Sequence, residues 1–189
     1  MEGSLEVFRR LGARVMDVDL PELEGWNAAG ALVISAEAAA LHANWLRTRP
    51  EDYSPQVRAR LEPGLALPAA AYIDSLRLRG AALEEFSRTV FSRVDALHAP
   101  VVAFQTPTIA ETDVVGGPEL ARLLARVTRL TRPANFLGVP TLSVQAGFTR
   151  AGMPIGMQLL GRPFDEATLF ALGHAFQGAT QFHRREPTL

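Results

Sequence analysis

The chain has 189 residues, of which 48% are hydrophobic and 21% charged, values typical of a folded globular domain and not of a disordered segment. Its formal net charge of −1 gives no basic footprint for nucleic acid or for an anionic membrane. The sequence contains no cysteine and no lysine, which excludes disulfides, thiolate chemistry, a Schiff-base lysine and any other lysine-dependent catalysis by these residues alone.

The first half of the chain predicts mainly helices. Apolar spacing over 5–11 predicts a short helix ended by Gly12, and the alternation over 14–20 predicts a strand before Pro21. A loop is expected over 51–55, with Ser54 and Pro55 as the N-cap and first residue of the helix that follows. The three further helices are predicted over 22–47, 56–61 and 67–94.

The second half alternates strands, loops and helices. Residues 94–104 are apolar and predict a strand that runs into a loop, and 105–118 has the prolines and glycines of a loop. The remaining predictions are a helix over 119–130, a turn over 135–140, strands over 141–147 and 153–161, a helix over 165–178 with Asp165 as its N-cap, and a tail over 182–189. The pattern is that of one α/β domain without repeats or linkers.

The first residues are acidic and amphipathic, without the basic and apolar regions of a signal peptide. The most apolar run, residues 28–41, is interrupted by Glu37 and is shorter than the ~20 residues that a membrane-spanning helix needs. We therefore expect a cytoplasmic protein that binds neither membrane nor nucleic acid.

Chemistry-bearing residues are present, but they do not form a complete active site. None of the seven serines lies beside another or within a Gly-x-Ser-x-Gly turn, and no histidine pair has the spacing of a helical zinc site. His98, where a strand leads into a loop, is the best placed histidine for a site, whereas His174 is expected to pack inside the last helix. The other two histidines are His42 and His183.

Several segments carry a recognisable signature. Residues 131–148 resemble the T-x-P-x-N-x-x-G-x-P passage of amidase signature enzymes, and 152–169 resemble their G-x-P-x-G-x-Q-x-x-G run. Residues 57–64, 94–100 and 182–187 are similar to further motifs of that family. The chain is therefore identified as resembling the carboxy-terminal portion of an amidase signature enzyme.

The resemblance implies a fold and an activity. These enzymes hydrolyse carboxylic amides to acid and ammonia with a serine, a second serine in a cis peptide and a lysine, all in the first half of the family's sequence. This chain has neither lysine nor adjacent serines. We therefore expect the carboxy-terminal part of a single amidase-signature domain over 1–189: a mixed β-sheet flanked by helices, without the first half of the fold. It would hold no catalytic residue, need no cofactor and be inactive alone.

The resemblance also suggests residues of the substrate pocket. Arg60 is similar to an arginine that lies near the substrate carboxylate in the A subunits of tRNA-dependent amidotransferases, and a guanidinium suits that task. His98 and Asn135 are the other candidates for substrate binding. For Asn135 the alternative is a structural role, together with Gly138 and Pro140, in a turn that shapes the pocket from outside. Thr128 stands where those A subunits usually carry an acidic residue, which favours a general amidase. Gln158 is expected to be buried and structural.

Three functions remain open from the sequence. The chain is part of an amidase, a non-catalytic binding or interaction module derived from one, or one component of a split amidase or amidotransferase. Its small-molecule partner would be an amide, bound only together with the missing amino-terminal half. An incomplete sheet leaves an unpaired edge and an apolar face, so self-association is also expected.

Overall fold

The computed structural model describes residues 1–21 and 23–186, which divide into two compact units. Among the described residues, the sheet unit consists of 1–21, 83–106 and 138–186, and the helical unit consists of 23–82 and 107–137. In chain order the elements of the described residues are α1 (Glu2–Arg10), α2 (Leu23–Thr48), α3 (Pro55–Leu61), α4 (Ala69–Phe86), β1 (Ala96–Pro100), α5 (Ile109–Thr112), α6 (Gly117–Thr128), α7 (Arg132–Leu137), β2 (Thr141–Phe148), β3 (Pro154–Gly161) and α8 (Glu166–Thr180).

The sheet unit is built on three strands in the order β1-β3-β2, with both pairs antiparallel. His98 of β1 lies opposite Leu159, and Ser143 of β2 lies opposite Gln158. A bulge at Gln145–Gly147 bends β2. The central strand β3 is therefore paired on both sides, and β1 and β2 form the edges.

Helices α1 and α8 cover the sheet with apolar side chains. Phe8 of α1 stacks on Phe176 of α8 with ring centroids 5.2 Å apart, and Phe176 is completely buried. Gly173 lets α8 approach β2, because a Cβ there would stand 2.5 Å from Leu142 Cδ2. The buried core consists of Val7, Phe8, Val144, Met157, Leu159, Leu169 and Phe176.

The helical unit is organised around α2, against which α3, the 3₁₀ turn Glu62–Ala66 and α7 pack. The turn comes so close that a Cβ on Gly64 would collide with the Ser35 carbonyl and stand 2.6 Å from Ala39 Cβ. On α2 itself, a Cβ at Gly30 would stand 3.1 Å from Arg132 Cγ and 3.2 Å from Phe136 Cβ of α7. Neither glycine has a positive φ angle, so both matter here through the space that they leave: a Cβ at Gly64 would collide with backbone, and one at Gly30 would displace side chains of α7 slightly.

The α/β class is confirmed, and so are most of the predicted elements. The hairpin of β2 and β3 and the strand β1 lie where the apolar runs placed them. The Ser54 hydroxyl caps α3 by accepting a hydrogen bond from the Val57 N–H at 3.4 Å, and Pro55 opens the helix. Asp165 is the N-cap of α8, with its carboxylate bound by the Thr168 hydroxyl at 2.8 Å.

Other sequence predictions are corrected by the structure. Residues 14–20 do not form a strand, because alternation is insufficient without a neighbouring strand to bond, and the described sheet offers them none. The predicted turn 135–140 is partly helix: α7 extends to Leu137, and the chain turns at Gly138, whose φ is +74°. His174 is exposed on α8 and not packed.

Three predicted segments also differ in extent or type from the observed elements. The loop predicted over 105–118 contains α5, which a Thr108–Glu111 capping box stabilises. The helix predicted over 67–94 changes at its end into a wider π turn, Ser87–Phe91. The tail begins with a 3₁₀ turn, Phe182–Arg184, and its last three residues lie outside the described part of the chain.

No helix in the described ranges has both the length and the apolar character needed to cross a membrane.

Candidate functional site

Arg60, a predicted substrate-binding residue, lies exposed near the end of α3 in the helical unit. The helix that carries it is held firmly, since Gln56 Nε2 donates hydrogen bonds to the carbonyls of Thr112 at 3.1 Å and Val114 at 2.7 Å. Two residues before Arg60, Arg58 is engaged by Glu62 at 2.9 Å. Arg60 itself has no ion pair or side-chain hydrogen bond with any described residue.

A second arginine of the helical unit, Arg132, is influenced by the positive charge of Arg60. Arg132 is the first residue of α7 and is only partly exposed. Its aliphatic stem rests on α2, where a Cβ built on Gly30 would lie 3.1 Å from Arg132 Cγ. Burial lowers the pKa of the Arg132 guanidinium, and the positive charge of Arg60 lowers it further. Within residues 1–21 and 23–186 no carboxylate pairs with Arg132.

Asn135, another predicted substrate-binding residue, lies one turn after Arg132 on α7 and is exposed. Its backbone N–H donates to the Thr131 carbonyl at 3.2 Å, whereas its side-chain amide contacts no polar partner in the described chain. The helical unit thus holds Arg60, Arg132 and Asn135, all with polar groups available to a ligand. Substrate binding by Arg60 and Asn135 stays a prediction.

His98, the third predicted residue, belongs to the sheet unit and is engaged within it. Its Nε2 atom lies 2.9 Å from Ser4 Oγ, and its ring meets the Phe8 ring edge-on at 6.2 Å between centroids. Burial lowers the pKa of the His98 imidazole. Through these contacts β1 packs against α1. Substrate binding by His98 stays a prediction.

The other polar side chains inside the sheet unit also serve the fold. Gln158 is buried on β3, as expected, and its Nε2 donates to the Pro100 carbonyl at 2.9 Å. Arg162 donates to the carbonyls of Phe91 at 2.9 Å and Val94 at 3.1 Å and pairs with Asp95 at 3.1 Å. Gln158 and Arg162, which belong to the second signature segment, thus join β3 to the chain around β1.

The sheet unit also contains an open cavity of about 710 Å³ beside the loop after β1 and the β2–β3 turn. Apolar groups such as Val102, Pro154 and Ile155 line it together with the polar side chains of Gln105 and Arg150. Among the described residues lining this cavity there is no carboxylate or imidazole. In the described ranges no three His, Asp or Glu residues come together as metal ligands would.

The comparison with known proteins decides the family. The family model described as Amidase matches residues 1–170. This chain belongs to the amidase family. It is 34% identical over 210 aligned positions to the A subunit of the glutamyl-tRNA(Gln) amidotransferase of Chloroflexus aurantiacus, covering 98% of this chain and 42% of that protein. It is 38% identical over 154 positions to a putative amidase, AmiD, of Mycobacterium tuberculosis, covering 81% of this chain and 32% of that one.

Solved structures agree with this assignment. A crystal structure of an amidase superposes with a TM-score of 0.78 at 34% identity, over 92% of this chain and 39% of the other. The chain therefore spans about two fifths of the length of these relatives. The resemblance of the signature segments is confirmed, and so is the prediction of a partial fold.

Of the three residues Arg60, Arg132 and Asn135, the sequence patterns do not single out Arg132. A signal was available, since neither Arg60 nor Arg132 has an acidic residue three or four positions away, whereas Arg58 has Glu62. An arginine in a helix without such a neighbour is not engaged by an ion pair along its own helix. The sequence alone does not show that the charge of Arg60 reaches Arg132.

Proposed function

We propose that this amidase-family chain is the carboxy-terminal part of an amidase that hydrolyses carboxylic amides to a carboxylic acid and ammonia. In this proposal the serine nucleophile, the second serine and the lysine belong to the amino-terminal part of the fold. The chain supplies part of the sheet and one wall of the substrate pocket. It does not hydrolyse amides alone, and it works without a metal or organic cofactor.

The main support for this proposal is the fraction of the relatives' length that this chain matches. Almost the whole chain aligns with 42% of the length of the Chloroflexus amidotransferase protein, so the remaining part of such a protein has no counterpart in this sequence. A serine hydroxyl attacks an amide only when a base takes its proton and preorganised donors stabilise the oxyanion. The sequence has no lysine, and its seven serines are all separated from one another.

Exposed apolar side chains on both units support the proposal that another segment of the enzyme covers them. In the helical unit, α2 carries only three charged residues in 26 and exposes Ile34 by 61% and Leu41 by 72%. A helix that is apolar on all sides is normally covered on all sides. In the sheet unit, Phe170 is 64% exposed on α8. Apolar groups of this size gain free energy when another segment covers them.

Co-expression tests the proposal directly. The chain is produced with the amino-terminal part of the M. tuberculosis relative, and ammonia release from propionamide and benzamide is measured for the pair and for each part alone. We expect ammonia only from the pair. The control is the same pair with the catalytic serine of the amino-terminal part changed to alanine, which should be inactive.

Two results would overturn the proposal. Turnover of either amide by the pure 189-residue chain would show that it contains its own catalytic groups. Failure of the two parts to co-purify and to release ammonia, while the chain alone is folded, would favour the binding-module function. Aggregation of the isolated chain that the amino-terminal part suppresses would agree with the exposed apolar helices.

A further inference from the structure

The outer edge of β2 offers backbone groups that no hydrogen bond in the described chain uses. The Gly161 N–H donates to the Pro140 carbonyl at 3.0 Å, and β3 pairs with β2 from there onward. In an antiparallel pair, every second residue directs its N–H and C=O groups to the partner strand, and the residues between them direct theirs away from it. The residues of β2 whose backbone groups point away from β3 are therefore Thr141, Ser143 and Gln145.

This edge lacks the features that usually prevent strands of different molecules from pairing. Proteins protect exposed edges with charged side chains, prolines or bulges. Residues 141–145 are uncharged and contain no proline. The other edge strand, β1, contains Pro100, which cannot donate a backbone hydrogen bond. The β2 edge is protected only further along, where the bulge begins and where Phe148 meets Phe182 edge-on at 6.4 Å between ring centroids.

We propose that this edge is an interface between two copies of the chain, in which residues 141–145 of one copy pair antiparallel with the same residues of the second. The proposal goes beyond the proposed function and does not rest on it. With the two-fold axis at Ser143, this residue pairs with Ser143 of the second copy, and Thr141 pairs with Gln145 of the second copy. Each directly opposed pair then exchanges both of its backbone hydrogen bonds.

The side chains along the edge suit a second copy better than a partner recognised by charge. In the two-fold register, hydroxyl and amide side chains meet on the exposed face of the sheet, and Leu142 meets Val144 of the second copy on the face that α8 covers. Such cross-strand pairs stabilise a sheet, and two identical neutral strands bring no like charges together. A charged partner would find no counter-charge on residues 141–148. The interface is isologous, so each contact occurs twice.

An exposed aromatic side chain of α8 lies above the same edge. Around α8, Phe176 faces Phe8 of α1, and Gly173 faces Leu142 of β2. Phe176, Gly173 and Phe170 follow one another around the helix in equal steps of about 60°, so Phe170 lies beyond Gly173 on the side away from α1. Its side chain is 64% exposed. Burial of this ring in the interface would add hydrophobic free energy to that of the backbone hydrogen bonds.

The spacing of the elements allows the two α8 helices to pack on each other. Helix α8 contacts both β2 and β3, so its axis lies above the space between these strands. Neighbouring strands are about 4.8 Å apart, and a second copy paired on β2 would therefore place the two α8 axes about 10 Å apart. Packed helices have interaxial distances of about 8–10 Å. The α8 helix contains one acidic residue, Glu166, and no lysine or arginine, so its charges do not prevent this contact.

Sedimentation velocity of the full 189-residue chain over a range of concentrations tests the proposal. We expect a reversible equilibrium between monomer and dimer. Ser143→Lys places two positive charges opposite each other at the two-fold axis and should raise the dissociation constant by roughly tenfold or more. Phe170→Gln, which removes an aromatic ring twice, should raise it by roughly the same factor. The matched control is Ala175→Lys, which adds the same charge at an exposed position of α8 opposite Gly173 and should leave the dimer unchanged.

Cross-linking locates the interface independently of its affinity. The sequence contains no cysteine, so Ser143→Cys carries a single thiol. A short bismaleimide should join two Ser143→Cys chains and should not join two Ala175→Cys chains. Circular dichroism checks that each variant is folded. If Ser143→Lys does not fold, the two cysteine variants and Phe170→Gln still decide the question.

Four results would overturn the proposal. They are a monomer at every concentration, a dimer that Ser143→Lys does not weaken, equal cross-linking of the two cysteine variants, and loss of co-purification with the amino-terminal part in Ser143→Lys. The last result would show that the edge receives a strand of that part instead of a second copy. Failure here is distinct from failure of the proposed function. A monomeric chain that releases ammonia together with the amino-terminal part would overturn only this proposal, and a dimeric chain that never does so would overturn only the proposed function.

Discussion

Two partly buried arginines, one in each unit, show how differently the units use their polar groups. In the sheet unit, Arg162 donates to two backbone carbonyls and pairs with Asp95. In the helical unit, Arg132 lies against Gly30 and has no acceptor among the described residues. A buried arginine with its acceptors stabilises the fold, whereas one without them is available to a ligand.

The contrast extends to the other polar side chains. Gln158 and His98 of the sheet unit both have partners inside that unit, the Pro100 carbonyl and the Ser4 hydroxyl. Arg60 and Asn135 of the helical unit have none in the described chain. The polar signature residues of the sheet unit are thus engaged within the fold, whereas Arg60 and Asn135 of the helical unit are not engaged by any described residue.

The contrast between the two units would have a simpler explanation if the helical unit were loosely packed. The substitution Gly64→Ala tests the packing of that unit and has the largest expected effect. A Cβ at Gly64 would collide with the Ser35 backbone carbonyl, which cannot rotate away as a side chain could. We expect a loss of about 3 kcal/mol in the free energy of unfolding, measured by urea denaturation. The control is Gly80→Ala on α4, where nothing lies within 4 Å and alanine should stabilise the helix by about 0.5–1 kcal/mol. Equal effects at both positions would show that the turn is not tightly packed on α2.

Replacing Arg162 of the sheet unit and, separately, Arg132 of the helical unit by glutamine compares the two units directly. Arg162→Gln removes the hydrogen bonds to Phe91 and Val94 and the ion pair with Asp95, and should cost about 1–2 kcal/mol of unfolding free energy. Arg132→Gln keeps the stem over Gly30 and breaks no observed bond, so its stability should be unchanged or slightly higher. Urea midpoints of the two variants and the wild type measure this. Equal destabilisation by both changes would show that the Arg132 guanidinium, like that of Arg162, contributes to the stability of the fold.

The sequence predicts elements that depend on neighbouring residues better than elements that depend on distant contacts. The β2–β3 hairpin follows from two apolar runs around a glycine-containing turn, and the Ser54 cap follows from a serine before a proline. The strand prediction for residues 14–20 is wrong because pairing depends on a distant neighbour. The turn predicted over 135–140 is wrong at its start because Asn135 lies inside a short helix, in whose first turn Pro133 is readily accepted.

The candidate site could be predicted only in part. The resemblance pointed to Arg60, and the family motif pointed to Asn135. The position of Arg132 depends on how α7 packs on α2, and in particular on the missing side chain at Gly30. No spacing along the chain contains that information, since α2 and α7 are separated by several elements of the fold.

His98 predicts a pH dependence of the stability of the sheet unit. The expected effect is smaller than those of the glycine and arginine substitutions. Burial lowers the pKa of His98 in the folded protein, so below about pH 6.5 the unfolded chain binds a proton that the folded chain resists. The stability contributed by neutral His98 is present above that pH and is lost as the pH falls towards its folded pKa. Urea midpoints between about pH 7.5 and pH 5 should fall for the wild type and less for His98→Gln. The same slope in both would show that His98 is not the group responsible.

The smallest effect concerns the repulsion between Arg60 and Arg132 without ligand. Arg60→Gln removes an exposed charge that has no counter-charge in the described chain, so it should raise the free energy of unfolding by roughly 0.3 kcal/mol at low salt. Arg58→Gln, which breaks the pair with Glu62 on the same helix, should lower it by a similar amount. Both differences should shrink as salt is raised, because the charges involved are exposed and screened. Urea midpoints at low and high salt measure them. If Arg60→Gln destabilised the chain as Arg58→Gln does, Arg60 would have a partner within the fold, and the two units would use their arginines in the same way.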